Sequence, residues 1–76
     1  MKRTVVKSVM ERKHLKELVE DSSCTMMRGY SDKSLIASFI MTACDIMKIH
    51  HNVDFTPEEK FEIENKVIFR FENNLL

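Results

Sequence analysis

The sequence predicts an all-α protein of three helices, and three observations carry that prediction. First, its 76 residues include one glycine and one proline, too little turn chemistry for a many-stranded β fold. Second, eleven of the fifteen residues from Leu35 to Ile49 are apolar. At about 100° per residue they leave only a narrow polar stripe at Ser38, Thr42, Asp45 and Lys48. Third, Thr56-Pro57-Glu58-Glu59 has the pattern of a capped helix start.

The first helix is predicted over about residues 8–20, where Leu15 and Val19 stand four apart on one face. Val5 and Val6 fall on a different arc from Leu15, Leu18 and Val19. The β-branched pair therefore suggests that residues 3–7 are extended or meet a separate surface. The polar run Asp21-Ser22-Ser23-Cys24-Thr25, continuing to Gly29-Tyr30, is predicted as a loop. That assignment makes Cys24 a loop thiol and puts Met26 and Met27 on the loop.

The second helix is predicted over about residues 32–50, with Ser31 as N-cap and the Asp32 carboxylate complementing the helix dipole. His50 and His51 then lie at its carbonyl end. A helix of this length spans about 27 Å. The segment His51-Asn52-Val53-Asp54 is the second predicted loop.

The third helix is predicted over about residues 57–74. Thr56 should accept a hydrogen bond from the Glu59 backbone, while the Glu59 carboxylate accepts one from the Thr56 backbone N–H. Phe55 should fold over the first turn. The apolar face is read as Phe61, Ile68, Phe71 and Leu75, within an arc of about 80°, with Val67 beside them. A hairpin turning at Asn65-Lys66 is the rival, because Phe61-Glu62-Ile63-Glu64 alternates and Val67 to Phe71 is β-prone. The capping box has no role in a hairpin, which favours the helix.

Seventy-six residues make one domain, and a domain of this size buries only about 60% of its unfolded surface. A central helix apolar over most of its circumference needs cover on several sides. A second copy of the chain or a foreign partner is the expected remedy, with homodimerisation the first expectation, through Leu35, Phe39, Met41, Ile46, Met47 and Ile49. Methionines suit adaptable binding surfaces, and Met41 lies too far around the helix to share the packing partner of Ile36 and Ile40.

Cys24 and Cys44 do not form a secreted-type disulfide framework and are expected as free thiols, Cys44 in the core. No stretch reaches the ~20 apolar residues of a membrane span, and no secretory signal pattern follows Lys2-Arg3. A cytoplasmic protein with no membrane partner is expected.

The sequence assigns no cofactor and no metal. His14, His50, His51, Cys24 and Cys44 lack the paired spacing of zinc ligands. There is no phosphate-binding glycine loop, and Cys24 lacks any recognisable nucleophile context. The carboxylates Glu58, Glu59, Glu62 and Glu64 read as a solvated face. Enzymatic activity is therefore not expected.

Net charge is zero but unevenly spread. Residues 1–30 hold seven Lys/Arg against four Asp/Glu, and residues 31–76 hold five against eight. The functional expectation is a non-enzymatic interaction module that regulates or inhibits a partner protein. The alternative is a small nucleic-acid-associated transcription regulator, whose first helix would meet phosphates through Arg12, Lys13 and Lys16. Glu11, Glu17 and Glu20 interrupt that basic stripe, and there is no short glycine turn before a polar recognition helix. Small, loop-poor helical chains resemble in type the products that bacteriophages and mobile elements encode to bind host proteins, an analogy no particular residue carries.

Overall fold

The computed structural model describes residues 9–76, with side-chain surroundings from Glu11 onward. Val5 and Val6, and the question of an extended start over residues 3–7, lie outside the described residues. Three helices follow in order: α1, Val9–Met27; α2, Leu35–His51; and α3, Pro57–Glu72. The hairpin alternative is excluded, since α3 is continuous through Asn65 and Lys66.

The first helix corrects the sequence reading most. It continues through the predicted loop to Met27, so Cys24, Met26 and Met27 are helical. Ser22, Ser23 and Thr25 are indifferent helix formers. What holds them in the helix is packing: Leu15, Val19, Ser23 and Met27 recur every fourth residue, with Cys24 beside them, and all five are buried. Burial of such a stripe outweighs a few tenths of a kcal/mol of unfavourable propensity per residue. Cys24 is thus a core residue and not a loop thiol. Gly29, at φ +90°, turns the chain out of the helix, and the Tyr30 N–H donates to the Met27 carbonyl.

The second helix begins at Leu35, three residues later than predicted, and Ser31 is not its cap. Asp32 instead accepts hydrogen bonds from the Ser34 N–H (3.0 Å) and the Ser34 hydroxyl (2.8 Å). These hold the approach as a turn, with the Leu35 N–H donating to the Asp32 carbonyl. At the other end, Asn52 takes a left-handed conformation and the Val53 N–H donates to the Met47 carbonyl. Val53 is buried, the apolar anchor that accompanies such a helix stop.

The capping box at the start of α3 is formed in both directions. The Glu59 N–H donates to Thr56 Oγ1 at 3.1 Å, and the Thr56 N–H donates to Glu59 Oε1 at 2.9 Å. Phe55 is buried, as a residue folded over that first turn should be.

The core joins all three helices. From α1 come Leu15, Val19, Cys24 and Met27; from α2, Ile36, Ile40, Ala43, Cys44 and Met47. The second loop adds Val53 and Phe55, and α3 adds Ile63 and Val67. The buried face of α3 is therefore centred on the pair Ile63–Val67. Ile68 and Phe71 are half-buried beside it, while Phe61 and Leu75 are exposed, which corrects the predicted arc. Ile63 and Phe61 lie about 160° apart on a helix, so both cannot face one core. Both cysteines are free and buried, and burial raises both thiols above their ordinary pKa.

Candidate functional site

The six α2 residues expected at an interface separate in the structure. Met47 belongs to the core, and Leu35 and Phe39 are half-buried against it. Met41 (66% exposed), Ile46 (48%) and Ile49 (76%) face solvent. Met41 and Ile46 lie on opposite flanks of α2, about 140° apart, with Ile49 between them on the side away from the core. Met41 is on the α3 flank, and Ile46 is on the α1 flank.

Beside Ile46, α1 and α2 leave a groove of about 370 Å³. Leu18, Asp21, Ser22, Thr25 and Met26 line one wall, and Ala43, Ile46 and Met47 line the other. The α1 wall alternates the apolar Leu18 and Met26 with the polar Asp21, Ser22 and Thr25, so the groove is apolar at its floor and mixed along its α1 rim. Near the start of α2, the Tyr30 ring packs against Phe39, with centroids 5.6 Å apart.

The residues of the nucleic-acid alternative are arranged differently. The Arg12 guanidinium grips Glu59 through two hydrogen bonds, Nε to Oε2 at 3.0 Å and Nη2 to Oε1, and lies over the Phe55 ring at 5.6 Å. Lys16 pairs with Glu62 at 3.1 Å, and Lys13 is exposed. Further along, Arg70 of α3 pairs with Glu20 (3.1 Å) and Asp21 (2.8 Å) of α1. Start meets start and end meets end, so α1 and α3 run parallel. Basic residues early on α1 face acidic residues early on α3, and the order reverses at the other end.

These contacts also perturb Glu59. The Arg12 hydrogen bonds, reinforced by the Thr56 backbone, hold its carboxyl below the usual glutamate range. Lys33 at the approach to α2 pairs with Glu72 at the end of α3 at 2.9 Å, tying the remaining two elements together.

Among the described residues, no group of three or more His, Cys, Asp or Glu side chains could hold a metal ion. His14, His50 and His51 are exposed. Among the described residues, no helix is long and apolar enough to cross a membrane.

Sequence reasoning missed the exposure of four apolar residues, Leu18, Phe61, Phe69 and Leu75. For Phe61 the available signal was the four-apart pair Ile63–Val67, which competes with it for the core side of α3. Comparison with protein-family models, curated proteins and solved structures finds no match to this chain.

Proposed function

We propose that this protein is a non-enzymatic interaction module that regulates or inhibits a partner protein by binding it. The observation that carries this reading is the apolar surface left on α2 and α3, where Met41, Ile46, Ile49, Phe61 and Phe69 all remain exposed. A contiguous exposed apolar patch marks a surface covered in a complex, and Ile46 and Ile49 stand within about 60° of each other on α2. A shallow, open groove suits a helix or loop of another protein better than a small substrate.

The test is affinity capture with the tagged full chain from cells that naturally express it, alongside a Met41→Glu/Ile49→Glu variant. The expected result is a protein bound stoichiometrically by the parent chain and lost from the variant, while both melt at the same temperature. Equal recovery by both chains, or none above background, overturns the reading. Binding to duplex DNA that weakens steeply with salt would favour the nucleic-acid alternative through Lys13 and its neighbours.

A further inference from the structure

We draw no further inference here: the strongest candidate, the exposed apolar patch at Ile46 and Ile49 on α2 with the groove that α1 leaves beside it, carries none because nothing in the structure shows what covers it.

Discussion

Replacing Glu59 tests how far one side chain ties α1 to α3. Its carboxylate accepts the Thr56 N–H of the capping box and two hydrogen bonds from Arg12. Loss of a cap typically costs about 0.5–1 kcal/mol. A fully exposed ion pair contributes about 0–1 kcal/mol, whereas charge-assisted hydrogen bonds in shielded sites reach about 1.5–3 kcal/mol. The Arg12 and Glu59 side chains are 28% and 18% exposed, so the pair falls between these limits, at about 1–2 kcal/mol. Glu59→Ala should therefore cost about 2 kcal/mol and lower the melting temperature by roughly 8–16 °C. Glu59→Gln keeps an acceptor for the cap and should cost about 1 kcal/mol.

The pH dependence separates the two contributions. Because Glu59 titrates below its ordinary value in the folded state, its ion-pair stabilisation is complete above the unfolded pKa of about 4.3. It is lost as pH falls through the depressed folded value. The advantage of the parent chain over Glu59→Gln should thus be constant near neutrality and shrink progressively below about pH 4. Urea denaturation followed by far-ultraviolet circular dichroism measures both quantities. A cost below about 0.5 kcal/mol for Glu59→Ala, or a Glu59→Gln difference independent of pH down to about 2.5, would refute the argument.

Three further substitutions test the packing. Ile63→Ala should cost about 2–5 kcal/mol because Ile63 is fully buried, whereas Phe61→Ala should stay within about 0.5 kcal/mol in the monomer; equal losses by denaturant titration would put the core on the wrong side of α3. Ser23 is buried with its hydroxyl unpartnered, so Ser23→Ala should raise stability by about 1 kcal/mol through removal of a desolvated group and better helix propensity; a lowered urea midpoint would show that the hydroxyl has a partner in solution.

The features legible in the sequence were those set by neighbours in the chain. The cap of α3 is a contact between residues three apart, so Thr56-Pro57-Glu58-Glu59 specifies it without reference to the rest of the fold. The existence and end of α2 follow from a long apolar periodicity and a polar loop after it, and three helices follow from the scarcity of turn residues.

Contacts across the fold decided the rest. Asp21 to Thr25 looks like a loop because serines and threonine favour local turns. It is helix because Ser23, Cys24 and Met27 continue the buried stripe begun by Leu15 and Val19. On α3, both Phe61 and Ile63 are apolar enough for a core, and only the placement of α1 and α2 selects Ile63. The same placement assigns Met47 to the interior and leaves Ile46 and Ile49 outside. It also gives Arg12 and Lys16 carboxylate partners 47 and 46 residues away, which no local pattern could foretell. Local chemistry determines where helices begin and end when a cap is strong. Which face of each helix is buried depends on area removed from water by distant residues, and that is a property of the assembled chain.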